Sequence, residues 1–141
     1  MESISFTKFK ECLDRWAKQK EKGQDILSRL NLGESSPELE IVIDELRSII
    51  QVMYEEFQKI IESLGLELAL EDESVAIPQD INTLRNCIDM YDQELMVKEC
   101  IRGIVCDKGF STRQHLAGST ALWKAESYID EDIQQQVKNH P

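Results

Sequence analysis

Apolar positions along this chain step by three and four residues, and never hold a step of two for long. From the start they fall at Phe6, Phe9, Leu13 and Trp16, then at Leu27 and Leu30. That is the spacing of one helix face. The stretch Lys18 to Gly23 interrupts the face, and a glycine costs about 1 kcal/mol against alanine inside a helix. The pattern therefore predicts a helix over 5–32 that frays, or meets another backbone closely, at Gly23. Gly33 suits the residue after its end.

The stretch GESSPE, Gly33 to Glu38, reads as a helix start. Ser35 or Ser36 can accept from free amides, Pro37 fits the first turn and Glu38 complements the helix dipole. Leu39, Ile43, Leu46, Ile50, Met53, Phe57, Ile60 and Leu64 follow, alternating steps of four and three. This heptad seam predicts a helix over 36–64, a rod of about 40 Å capped by Gly65. The period is lost over 66–79, an acidic connection carrying Glu71, Asp72, Glu73 and Pro78. A third helix is predicted over 80–106, with Ile81, Leu84, Cys87, Ile88, Tyr91, Leu95, Lys98 and Ile101 on its face. A turn at Asp107–Ser111 leads to a fourth helix over 112–126, capped by Ser111 or Thr112. Its stripe of Leu116, Thr120 and Trp123 is thin. In the tail, 130–141, the steps Ile129, Ile133 and Val137 suit a short helix, and its last residues are expected to fray. The fold class that follows is all-α in one domain: an antiparallel helical bundle or coiled coil of three long helices plus a short C-terminal helix.

Charge narrows the range of functions. The chain of 141 residues has 27 acidic and 16 basic residues, a net charge of −11, which repels nucleic acid and anionic membranes. The first residues lack the basic and apolar blocks of a targeting segment, and no run approaches the roughly 20 apolar residues that cross a bilayer. A soluble intracellular protein, without direct nucleic-acid or membrane binding, is expected.

Candidate chemistry is sparse. Cys12, Cys87, Cys100 and Cys106 lack the paired spacing of a zinc site and are expected to be free thiols, with Cys87 and Cys12 packed as small apolar residues. Neither His115 nor His140 has a carboxylate or cysteine partner by sequence, and both are expected to be solvated. No phosphate-binding, dinucleotide or metalloprotease motif occurs. No catalytic, cofactor or metal residue is assigned, and the expectation is a protein that is not an enzyme.

The remaining signal is apolar breadth. Val42, Ile49, Tyr54 and Ile61 lie beside the strict seam of the second helix. Val42, Ile49 and Tyr54 are expected to form a face that meets another protein, by helix-in-groove or mixed-bundle association. A homo-oligomeric coiled-coil scaffold, of kinetochore or tethering type, fits the same pattern. A small helical metal-binding enzyme is the alternative from another class.

Three motifs occur in order: Trp16 to Gly23 followed by Leu30, Asn31 and Leu32; M-Y-x-x-E-L-x-x-K at Met90, Tyr91, Glu94, Leu95 and Lys98; and W-x-x-x-x-Y-[IV] at Trp123, Tyr128 and Ile129. Together they resemble the family of the cyclin-dependent kinase 2-interacting protein (CINP). The resemblance implies a nuclear helical adaptor linked to cyclin-dependent kinase 2 and other cell-cycle kinases, to DNA replication and checkpoint proteins, and to AAA ATPase subunits with a helical co-subunit in ribosome maturation. The family usually has proline before the motif tyrosine, where this chain has Ser127. Tyr91, Leu95, Trp123, Tyr128 and Ile129 are the expected structural and interaction cluster. Trp and Tyr five residues apart cannot share one helical stripe. The reading is that the fourth helix ends near Glu126, that Trp123 packs inward, and that Tyr128 and Ile129 follow in an extended segment.

Overall fold

The computed structural model describes residues 4–66 and 76–141, and every regular element among them is helical. In chain order these are α1 (Thr7–Ser28), α2 (Glu38–Leu64), α3 (Gln79–Val105), α4 (Arg113–Ala125) and α5 (Glu131–Lys138). Most of the expected acidic connection, residues 67–75, lies outside the described residues. No helix among the described residues is long and apolar enough to cross a membrane.

The three long helices pack on one another, with α2 between α1 and α3. Cys12 of α1 lies on the carbonyl of Ile49, and Arg15 pairs with Glu45 at 3.6 Å. On the other flank Arg47 of α2 meets Glu99 of α3 at 2.6 Å, and Glu40 meets Arg102 at 2.9 Å. The early end of α2 thus lies by the late end of α3. This position corrects the expectation for the broad apolar flank. Val42, Ile49 and Ile61 are buried within the single chain, because a helix with neighbours on both sides covers more than one seam. Tyr54 alone of the predicted second face remains outside, 44% exposed.

Helix starts and stops follow local chemistry, with several departures. Thr112 caps α4 by accepting from the His115 amide, and Gly65 ends α2 with φ 65°. Neither Ser35 nor Ser36 caps α2. Pro37 occupies the cap position without a side-chain bond, while the Ser36 amide donates to the Val105 carbonyl at 2.9 Å. Helix α1 stops at Ser28, short of residue 32, and the Gly33 amide donates to the Phe110 carbonyl at 2.8 Å. The turns after α1 and α3 are so tied together at one end of the molecule.

The tail is anchored instead of frayed. Asp130 caps α5 by accepting from the amides of Asp132 and Ile133, and Val137 is buried. His140 stacks on Phe6 with ring centroids 3.6 Å apart, lies 3.1 Å from Asp80, and its carbonyl accepts from Lys10. The expectation of a solvated His140 is corrected: the tail returns to the start of the chain, and its imidazole covers Phe6. His115 is exposed, with its ring edge against Phe110.

Candidate functional site

The motif residues meet at the junction of α4 and α5. Helix α4 ends at Ala125, and Glu126 adopts left-handed backbone (φ 46°, ψ 56°), the one positive φ outside glycine among the described residues. A non-glycine residue there costs of order 1 kcal/mol and persists when its surroundings hold it. Here they do. One carboxylate oxygen of Glu126 accepts from the Trp16 indole N–H at 2.6 Å and lies 3.4 Å from the Lys98 ammonium. The other lies 3.2 Å from Lys20. The Ile129 amide closes the turn onto the Glu126 carbonyl at 2.9 Å. The helix therefore breaks with serine, not proline, at position 127.

Lys98 is 0% exposed. Burying a lone ammonium costs several kcal/mol, so its three protons need acceptors. It donates to the Trp123 carbonyl at 2.8 Å and to Glu94 at 3.4 Å, with Glu126 as the third partner. The ammonium also lies 4.4 Å from the centre of the Trp123 ring, a cation–π contact. Burial lowers the Lys98 pKa, opposed by Glu126 and Glu94. Burial likewise raises that of Glu94, opposed by Lys98 and by the Tyr128 amide, which donates to Glu94 at 3.3 Å. Two carboxylates, Glu94 and Glu126, thus face two ammoniums, Lys98 and Lys20, and the cluster is neutral as a set.

Trp123 locks this cluster to α1. Its indole N–H donates to the Lys20 carbonyl at 2.9 Å, and its ring lies on Gly23. A Cβ at residue 23 would overlap the indole ring atoms. Helix α1 passes Gly23 unbroken, so the interruption at Lys18–Gly23 marks a place where a side chain enters, and neither a fray nor a backbone contact.

The expected cluster of Tyr91, Leu95, Trp123, Tyr128 and Ile129 divides into core and surface. Tyr91, Leu95 and Trp123 are buried. Tyr91 holds the edge of Trp16 at 4.9 Å, and its hydroxyl accepts from Gln134 of α5 at 3.0 Å. Ile129 is half-buried against the core. Tyr128 is 51% exposed and, with Gln93, Met96, Val97 and Cys100 of α3, lines a shallow groove of about 300 Å³. Val42 and Ile49, in the core, do not join this surface.

Sequence reasoning missed the roles of Glu94, Lys98, Glu126, Lys20 and Trp16. One signal was present: Lys98 falls three residues after Leu95 and three before Ile101, on the inward stripe of α3. A lysine there requires buried partners. Nothing local identifies Glu126, whose acceptor role depends on an indole 110 residues away.

Cys12 and Cys87 are buried and free, and Cys100 is an exposed thiol in the groove. Burial pushes the Cys87 thiol up to about 12. Among the described residues no group of three or more His, Cys, Asp or Glu is arranged to hold a metal ion. Comparison of the chain with protein-family models, with curated proteins and with solved structures gave no match.

Proposed function

We propose that this chain is a non-enzymatic adaptor, an antiparallel helical bundle whose fourth rod is broken into α4 and α5, that binds other proteins as a subunit of a larger assembly. The resemblance to the CINP family supplies the setting: the nucleus, cell-cycle kinases, replication and checkpoint signalling, and an AAA ATPase complex of ribosome maturation. One observation carries the adaptor reading. Residues of all three motifs, from Trp16 and Gly23 through Glu94 and Lys98 to Trp123, converge on one cluster that holds Glu126 in left-handed backbone. What the cluster delivers to the surface is the exposed ring of Tyr128 beside the exposed Met96. Rigid placement of an aromatic and a methionine on the outside suits recognition of another polypeptide.

The rival homo-oligomeric coiled coil drew its support from an apolar flank of α2 thought too broad for one chain to cover. Val42, Ile49 and Ile61 are covered internally, so that support is withdrawn. Affinity purification from the native cell, followed by mass spectrometry and by sedimentation of the isolated chain, tests the adaptor. Stoichiometric co-purification of different polypeptides is expected. A stable homodimer or homotetramer that brings down no other protein overturns the reading.

A further inference from the structure

We propose that the outward stripe of α3, between Tyr54 and Tyr128, is a docking surface for a basic amphipathic helix of a partner protein. The inference rests on the adaptor reading and names the surface and the chemistry of its occupant. Asp89, Gln93, Met96 and Cys100 are all exposed, and their spacing aligns them on one face of the helix over about 17 Å. Tyr128 borders this face through the groove that it shares with Met96 and Cys100. On the other flank Tyr54 of α2 stands close enough to Asp89 and Asp92 for their charges to raise its phenol pKa, after burial, which is the larger cause. The stripe therefore has an apolar centre, Met96 at 60% exposure, with a half-exposed tyrosine on either side.

Charge selects the occupant. Asp89 and Asp92 have no ion-pair partner among the described residues. The cations of the later half of α3 are engaged elsewhere: Lys98 in the buried cluster and Arg102 on Glu40. A second copy of this chain, at −11, would bring the same carboxylates toward each other. A helix with Leu or Met on one side and Lys or Arg flanking it satisfies the tyrosines, the methionine and both aspartates. The larger groove between α1 and α2, about 670 Å³, makes no such choice, since Lys22 and Arg29 line it together with Asp25, Glu38 and Glu45.

The test uses the purified full chain and two synthetic Leu-based amphipathic helices of about 18 residues, roughly 27 Å long, one carrying Lys and the other Glu on its polar face. The Lys peptide is expected to bind, to shift backbone amides over 89–100 and 127–129, and to slow alkylation of Cys100. The Glu peptide is expected to do none of these. Exchanging Met96→Ser with Tyr128→Ser should weaken binding about tenfold. Asp89→Asn with Asp92→Asn should flatten its salt dependence. All four positions are at the surface, and unchanged melting curves establish that the variants fold. Ile41→Glu, in the other groove, should bind as the parent does. Equal binding of both peptides, shifts centred elsewhere, parent-like affinity in the Met96 and Tyr128 variant, or concentration-dependent shifts of these amides without peptide each overturn the proposal. Other proteins that still co-purify with that variant would leave the adaptor standing and remove this surface from it.

Discussion

The seam of α2 and the cluster around Lys98 are both buried, yet they are held by opposite physics. Along α2, Leu39, Ile43, Leu46, Ile49 and Met53 exclude water with no polar side chain among them. Each such side chain contributes roughly 1.5 to 3 kcal/mol, and exchange for another of similar shape is tolerated. At the junction of α1, α3 and α4 two indoles, two carboxylates and two ammoniums are satisfied by one another and by the backbone carbonyls of Lys20 and Trp123. Removing Lys98 leaves Glu94 buried without its cation. The seam provides stability in interchangeable parts, whereas the cluster fixes where the chain turns.

The largest effects should come from the cluster. Trp123→Ala removes a fully buried ring along with its anchor on α1, and a loss of about 3 to 5 kcal/mol is expected in denaturant titration. An unchanged melt combined with lost co-purification would reassign Trp123 to the interface. Lys98→Met should cost about 3 to 5 kcal/mol, because Glu94 is left without a cation and Glu126 keeps only Lys20. Adding Glu94→Gln should return part of that loss. A double-mutant cycle without coupling between the two would remove the distinction from the seam, where Ile43→Val should cost about 1 kcal/mol and add independently to changes elsewhere.

Alkali should separate the cluster from the apolar core, where Cys87 of α3 is buried. Cys87 has a folded pKa of about 12 against an ordinary value of 9.0. Between these values the native thiol keeps a proton that the unfolded chain releases, so stability falls as pH rises through this window, by up to about 4 kcal/mol. Lys98, with its lowered pKa, acts in the opposite sense: stability rises with pH between its folded pKa and the ordinary 10.5. Stability curves at pH 8 to 12 should be flatter in Cys87→Ala, and an unaltered slope would place the alkaline loss elsewhere.

Smaller effects sharpen the comparison. Gly23→Ala would stabilise an isolated helix by about 1 kcal/mol. Here it should destabilise by about 1 to 3 kcal/mol, since the new methyl meets the Trp123 ring. That penalty should vanish in a Trp123→Ala background. Smallest of all, Tyr54→Ala and Tyr128→Ala should each stay within about 0.5 kcal/mol in thermal melts, as befits exposed rings. A larger loss for Tyr128 would make it part of the cluster's support.

Much of this architecture was legible before any coordinates. The step of three and four from Leu39 to Leu64 marks α2 within two residues of its start, and Gly65 and Thr112 mark ends because capping is a contact between near neighbours. The break between Trp123 and Tyr128 was readable too, since residues five apart cannot share a stripe. Tyr128 lies, however, in a turn closed by the Ile129 amide on the Glu126 carbonyl and not in the extended segment expected. The burial of Val42 and Ile49 was not, because periodicity says which face is apolar and nothing about how many neighbours cover it. The anchored tail was equally hidden, as His140 finds its cover on Phe6, at the opposite end of the chain.

The sequence by itself determined an all-helical chain, the placing of its rods and the inward position of Lys98, because those follow from the pitch of one helix and the chemistry of its ends. Only the tertiary structure decided that Glu126 and Trp123 are the partners of Lys98, that Gly23 is a seat for an indole, and that Tyr128 is left outside beside Met96. Those pairings join residues up to 100 positions apart, and the energy that selects them exists only once the helices have packed and water has left.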